Sequence, residues 1–272
     1  MPLSHLLYKF FFVTTEIPKF LGLFHILSLI TLGLLIFLVF KKFNNLTDEK
    51  FRRIMFYIWI FIVLGEIYRE ICFSLALTDD GFTFNYAWYM FPFQMCSAPL
   101  YALPLIAFLP SGKVRDGVMA YMSTFSMFGG LSVMIYVGDV YTVFLGSNIQ
   151  SMTHHGLQVL IGLMVILHNK DRYNKHFFLR GLCTFGAALC IAMTLNVVGY
   201  HALRAAGKGD TFNMFYISPY FKCTLPILSA IHEATSYLVV LPLYILAFSL
   251  IALLMFTITS LIIKKCSKAE KI

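Results

Sequence analysis

The chain is poor in charged residues and has no closely spaced cysteines. Only 12% of its 272 residues are Asp, Glu, Lys or Arg, whereas soluble domains carry about 25%. Its six cysteines form no CxxC pair and no metal-ligand spacing, so we expect neither a disulfide framework nor a metal or other cofactor. What is present instead is hydrophobicity. Because 59% of the residues are apolar and the mean hydropathy is +0.79, the sequence predicts a polytopic membrane protein.

The formal net charge of +8 does not indicate a nucleic-acid partner. In a membrane protein, an excess of Lys and Arg usually reports the orientation of the chain. The apolar runs predict an all-α bundle of seven transmembrane helices in a single integral membrane domain, residues 1–272. The predicted spans cover about residues 22–40, 54–77, 88–109, 117–137, 151–168, 177–200 and 235–263.

Lysine and arginine alternate between the predicted loops. The first, third and fifth loops and the C-terminal tail are basic, whereas the second and fourth loops contain no Lys or Arg. Basic loops mark the cytoplasmic side, so the pattern predicts an N-terminus outside and a C-terminus in the cytoplasm. Short tails without a retention signal favour a bacterial plasma membrane, with the endoplasmic reticulum as the alternative.

The third predicted span has an unusual composition. Between residues 88 and 104 it combines three prolines with Gln94 and a single cysteine, Cys96. Proline removes a backbone donor and kinks a helix, so a span that only crossed the membrane would avoid it. The pattern predicts a kinked helix lining a polar cavity, with Cys96 roughly 12 Å below the outer surface.

Other polar residues of the spans map to the same outer half of the membrane. Glu66, Arg69 and Glu70 are spaced i, i+3 and i+4, so they share a helix face and could simply neutralise one another. Charged residues in spans nevertheless usually face a polar interior. His154 and His155 are adjacent, so their side chains point about 100° apart around a helix and cannot both face one spot. The remaining members of this group are His154, His155, Asn196, Asn213 and Tyr216.

Cysteine, histidine and asparagine side chains can together perform acyl transfer. The imidazole takes the thiol proton, the thiolate attacks an ester carbonyl, and the amide orients the imidazole. His155 is the candidate base for Cys96, and Arg69 could add the positive potential that a thiol in apolar surroundings needs. The alternative is that Cys96 is an inert packing residue.

The order of these motifs resembles that of the YwaF-type integral membrane proteins, a family that includes the eukaryotic transmembrane protein 164. The resemblance extends from about residue 52 to residue 256 and implies an acyltransferase that moves fatty acyl groups between phospholipids through a cysteine acyl intermediate. It makes Cys96 the nucleophile and His155 the base, and Gln94 stands where a histidine is frequent. The matching motifs are Pro92-x-x-x-Cys96, His155-Gly156, Asn196 and Asn213-x-x-Tyr216.

Two classes of function remain open from the sequence. The first is a cysteine-dependent acyltransferase or lipid hydrolase, whose partner is a membrane phospholipid or lysophospholipid. The second is a seven-span transporter or sensor in which Glu66, Arg69, Glu70 and His155 form a binding or proton-relay site. Transporters often contain internal repeats, and this sequence shows none. The sequence predicts no particular oligomeric state.

Overall fold

The computed structural model describes residues 8–9, 12–44, 46–78 and 81–269, without the side chains of Asp139 and residues 265–269. This part of the chain is almost entirely helical, which confirms the all-α prediction, and every predicted span contains a helix. A π-helical turn, Met122–Ser126, joins the fourth helix to the fifth without a break. The helices are α1 Leu23–Lys42, α2 Asp48–Ser74, α3 Ala98–Phe108, α4 Lys113–Tyr121, α5 Met127–Ile135, α6 Leu145–His168, α7 Lys175–Ala205, α8 Leu228–Ala234 and α9 Tyr237–Ala269.

Four helical stretches of the described residues are long and apolar enough to cross a membrane. They are Leu23–Lys42, Lys113–Ile135, Lys175–Ala205 and Tyr237–Lys264. Helices α2 and α6 have 27 and 24 residues, which is sufficient length, but both carry many polar side chains. The seven-span topology and its orientation therefore stay predictions.

The third predicted span is broken rather than kinked. Residues 88–97 form two short 3₁₀ turns, Trp88–Met90 and Met95–Ser97, separated by extended backbone around Pro92. Only Ala98–Phe108 is α-helical. Pro99 lies in the first turn of that helix, where a missing N–H is tolerated, whereas Pro104 lies inside it.

A β-hairpin follows α2 where the sequence predicted a simple loop. Strands β1 (Leu75–Thr78) and β2 (Gly81–Phe84) pair in antiparallel fashion, with Leu75 opposite Phe84. Gly81 has a φ of +118°, a conformation that side chains disfavour. Asp79 and Asp80, which make the predicted loop acidic, lie outside the described residues.

Helices α5 and α6 pack closely at a glycine. A Cβ atom added to Gly130 would lie 2.6 Å from the backbone oxygen of His155 and 2.7 Å from Cβ of Gln158. A Cβ atom on the neighbouring Gly129 would meet open space. Gly130 therefore lets the backbone of α5 approach the polar stretch of α6 directly.

The end of the bundle remote from Cys96 is held by a network of ion pairs, which we call the charged end. Asp48 accepts hydrogen bonds from Arg52 at 2.6 Å, Arg115 at 2.7 Å and His168 at 3.1 Å. Arg115 is buried, and its Nε also donates to the carbonyl oxygen of Ile106. These contacts join the N-termini of α2 and α4 to the C-termini of α3 and α6.

A second carboxylate completes the charged end. Asp116 pairs with Arg172 at 3.4 Å and also with Arg180, which ties α7 to α4. At the first carboxylate, burial alone would raise the pKa of Asp48, but the hydrogen bonds from Arg115 and Arg52 outweigh it and hold that pKa well below its ordinary value. The charged end thus contains an ionised Asp48.

Candidate functional site

Cys96 lies in the Met95–Ser97 turn, immediately before the N-terminus of α3. The turn is closed by two hydrogen bonds, from Ser97 N to the Gln94 oxygen at 2.9 Å and from Gln94 N to Ser97 Oγ at 3.3 Å. It contacts the π-helical turn Met122–Ser126 and helix α5. In general, the unpaired N–H groups and the dipole at a helix N-terminus favour a negative charge nearby.

Two side chains of α6 converge on the backbone carbonyl oxygen of Cys96. His154 Nε2 donates to it at 2.7 Å, and Gln158 Nε2 donates to the same oxygen. The two residues are four positions apart and therefore share a helix face. Each keeps a buried atom, His154 Nδ1 or Gln158 Oε1, without a hydrogen-bond partner in the part of the chain that the structure describes. Sequence reasoning missed Gln158, although its position one turn after His154 was an available signal.

His155 lies beside His154 but makes different contacts. Its Nδ1 donates to the carbonyl oxygen of Ser151 at 2.7 Å, which leaves the lone pair on Nε2. The two imidazole rings meet edge to face with centroids 5.5 Å apart. The backbone oxygen of Cys96 thus accepts from His154 and Gln158, whereas the hydrogen bond of His155 goes to Ser151.

The acidic and basic residues of α2 pair with one another, as their spacing suggested. Arg69 Nε donates to Glu66 Oε2 at 3.2 Å, a second bond joins the same two side chains, and Glu70 lies 3.5 Å away. Arg69 also donates to the backbone oxygen of Met90 at 3.3 Å, which fixes the broken third span against α2.

The amide residues of the predicted site form a clamp around a loop. Gln94 donates to the oxygen of Asn213 at 2.9 Å and accepts from the N–H of Phe215 at 2.7 Å. Asn196 likewise donates to the oxygen of Met214 at 3.0 Å and accepts from its N–H at 2.6 Å. Both side chains therefore hold the short 3₁₀ turn Met214–Tyr216 next to the Cys96 turn.

The clamped turn is strained. Phe215 and Tyr216 have φ values of 56° and 57°, a left-handed conformation that costs roughly 1–2 kcal/mol per residue. Asn213 stabilises the loop from within, since its Oδ1 accepts from the N–H of Ser218 at 2.8 Å. The positions that match the family pattern thus shape the wall around Cys96. Tyr216 lies in the strained part of that wall.

An apolar groove of about 620 Å³ runs between α3, α4 and α7. At one end it is lined by Gln94, Ala98 and Tyr121, and at the other end by Lys113 and Arg180. The groove therefore extends from the surroundings of Cys96 to the charged end. In its size and its apolar lining it resembles a ligand site.

These features define an α-helical membrane protein in which His154 and Gln158 of α6 hold the backbone of Cys96, and the neighbouring Gln94 and Ala98 line one end of an apolar groove. Within the described residues, no group of three His, Cys, Asp or Glu side chains could hold a metal ion. The chain belongs to the TMEM164 family, whose sequence profile matches residues 20–260. No curated protein and no solved structure matches it significantly.

Proposed function

We propose that this protein is a membrane-embedded acyltransferase, or a lipid hydrolase, that acts on phospholipids through an acyl intermediate on Cys96. The observation that carries the proposal is the placement of this thiol. Cys96 lies at a helix N-terminus, His154 bonds its carbonyl oxygen, and its neighbours Gln94 and Ala98 line one end of an apolar groove. Membership of the TMEM164 family supports a membrane protein, and the YwaF-type motif order supports acyl transfer.

The reaction follows the general scheme for cysteine nucleophiles. The base removes the thiol proton, and the thiolate attacks the ester carbonyl carbon, so that a C–S bond forms and the ester C–O bond breaks. The base then returns the proton to the departing oxygen, which releases a lysophospholipid and leaves a thioester on Cys96. Attack on the thioester by the hydroxyl of a second lysophospholipid completes transfer, whereas attack by water completes hydrolysis.

His155 is the proposed base. Its Nδ1 proton is held by the Ser151 carbonyl, so Nε2 has the free lone pair that proton abstraction requires. His154 instead uses Nε2 to hold the Cys96 carbonyl and is proposed to position the turn. Arg69, which bonds the backbone of Met90 in the same broken segment, and the N-terminus of α3 are the proposed sources of positive potential for the thiolate.

The proposed topology has seven spans, with the Cys96 end in the outer half of the membrane and the charged end in the cytoplasm. Lys113, Arg172 and Arg180 lie at or beside the charged end. A cytoplasmic location for these cations agrees with the positive-inside rule. Lipid would then reach Cys96 from the outer leaflet.

The proposal is tested with purified protein in phospholipid nanodiscs that contain phosphatidylcholine with an alkyne-tagged acyl chain. Wild-type protein should acquire a label that hydroxylamine removes, as expected for a thioester, and Cys96→Ala should acquire none. Cys190→Ala is the matched control, because this thiol is exposed on α7 and does not line the groove, and it should label like wild type. Equal labelling of wild type and Cys96→Ala would overturn the proposed function.

A further inference from the structure

The groove between α3, α4 and α7 has the dimensions and the lining of a hydrocarbon site. Its middle is kept wide by Ala102 of α3 and by Ala187 and Ala188 of α7, whose side chains are single methyl groups. Along α7 the lining extends from Arg180 to Ile191, which corresponds to roughly 16 Å at 1.5 Å per residue. An extended acyl chain fits such a shape better than a compact polar ligand does.

The Cys96 end of the groove contains an unused hydrogen-bond donor. Tyr121 lines the groove and is only 3% exposed, and its Oη has no hydrogen-bond partner among the described residues. Buried polar atoms are nearly always paired, so a lone hydroxyl on a cavity wall points to a ligand that supplies the acceptor. The π-helical turn Met122–Ser126, which directly follows Tyr121, contacts the Met95–Ser97 turn that contains Cys96. An ester carbonyl oxygen bound at this end would be such an acceptor.

The opposite end of the groove is unsuited to hydrocarbon. Lys113 and Arg180 line it, and Arg180 pairs with the buried Asp116. An acyl chain that extended past this point would strip water from charged groups, which is costly. The groove therefore runs from the surroundings of Cys96 to these two cations, Lys113 and Arg180, which we call the charged floor.

We infer that this groove holds the acyl chain of the lipid ester that Cys96 attacks, with the ester beside Tyr121 and the terminal methyl group above Lys113 and Arg180. The distance between these two ends then limits the length of the chain that is accepted. This inference rests on the proposed function for the identity of the ester, but the binding of the chain does not require the chemistry of Cys96.

The first test shortens the groove and measures chain selectivity. Ala187→Phe places a ring in the middle of the groove, whereas Cys183→Phe places one nearer the charged floor. Gly186→Phe is the matched control, because a side chain at that position meets open space. The three variants are offered an equal mixture of phosphatidylcholines with short and long acyl chains, and the thioester-bound acyl groups are identified by mass spectrometry.

Wild-type protein and Gly186→Phe should retain long chains. Ala187→Phe should lower the ratio of long to short chains by at least about tenfold, because each excluded methylene loses favourable burial. Cys183→Phe should lower it by less. An unchanged chain profile in Ala187→Phe, together with normal labelling, would overturn the inference and leave the proposed function standing.

The second test works even if Cys96 forms no acyl intermediate. Cys96→Ala is mixed with phosphatidylcholine that has a photoreactive diazirine at the end of one acyl chain, and the cross-linked residues are mapped by mass spectrometry. Cross-links should concentrate near the charged floor, at 113–118 and 180–184, and should decrease in Cys96→Ala with Ala187→Phe but not with Gly186→Phe. Cross-links confined to lipid-facing surfaces such as α1 would overturn the inference.

Discussion

The two ends of the groove use polar residues in opposite ways. At the charged end, Asp48 of α2 pairs with Arg115 of α4, and Asp116 of α4 pairs with Arg172 and with Arg180 of α7. At the Cys96 end, Tyr121 Oη, His154 Nδ1, Gln158 Oε1 and Ser126 Oγ are buried without partners among the described residues. Paired charges stabilise a fold, whereas unpaired buried atoms cost free energy and call for an explanation. Because the Cys96 end also contains the Glu66–Arg69 pair, the two ends differ in these unpaired atoms, which fit the proposed ligand site.

The largest expected effect separates the two histidines of the Cys96 end. His155→Asn keeps a donor at the Nδ1 position for the Ser151 carbonyl but removes the base, so the rate of hydroxylamine-sensitive acylation should fall about 10²–10⁴-fold. His154→Gln keeps a donor for the Cys96 carbonyl and should lose far less. The rates are measured with the alkyne-tagged lipid. If His154→Gln is the more damaging change, the base has been assigned to the wrong histidine.

Tyr121→Phe examines whether the unpaired hydroxyl serves the substrate. Removing a donor to a developing oxyanion typically costs about 10²-fold in rate, so acylation should fall by about this factor. The thermal stability of the ligand-free protein should stay the same or rise, since a buried hydroxyl without a partner is removed. A variant that acylates like wild type would show that the hydroxyl does not contact the ester.

Gly130→Ala should disturb the Cys96 end through packing. The added methyl group would overlap the backbone oxygen of His155, and overpacking of this kind costs about 1–3 kcal/mol. Acylation should fall as well, because α6 must shift. Gly129→Ala is the matched control, and helix propensity predicts that it is neutral or stabilising. Chemical denaturation in detergent measures both, and equal effects would argue against the close approach of α5 and α6.

Asp48→Asn tests the charged end and should have the smallest effect on acylation. It leaves the buried Arg115 without its carboxylate, which we expect to lower the free energy of unfolding by about 1–3 kcal/mol at pH 7, less than for a fully buried pair because the Asp48 side chain is 42% exposed. Acylation by the folded protein should change little. A fall in acylation larger than the loss of folded protein would show that the charged end also affects the reaction.

The same carboxylate predicts how stability depends on pH. The pKa of Asp48 is lower in the folded protein than in the unfolded chain, so its contribution is present above about pH 4 and is lost as the pH falls further. Melting temperatures recorded between pH 7 and pH 3 should therefore drop more steeply for wild type than for Asp48→Asn. Parallel curves would show that the ion pairs contribute little to stability.

The sequence predicts the helices well because their apolar runs are long, and it locates the Cys96 region because three prolines and a cysteine are unusual in a span. It could not reveal that Gln94 and Asn196 clamp the loop at Met214, since this pairing joins distant segments. Likewise, nothing in the spacing of Asp48, Arg115 and Asp116 shows that they meet at one end of the bundle. The contact between His154 and the Cys96 carbonyl also depends on how α6 is rotated, and a two-histidine motif leaves that rotation undetermined.

The most direct measurement is peptide mapping of the acylated protein. Wild type is incubated with alkyne-tagged phosphatidylcholine in nanodiscs and digested, and the modified residue is identified by mass spectrometry with and without hydroxylamine. A thioester on Cys96 that hydroxylamine removes is the predicted result. Modification only at the exposed Cys183 or Cys190, or no modification of any cysteine, would contradict the assignment of Cys96 as the nucleophile.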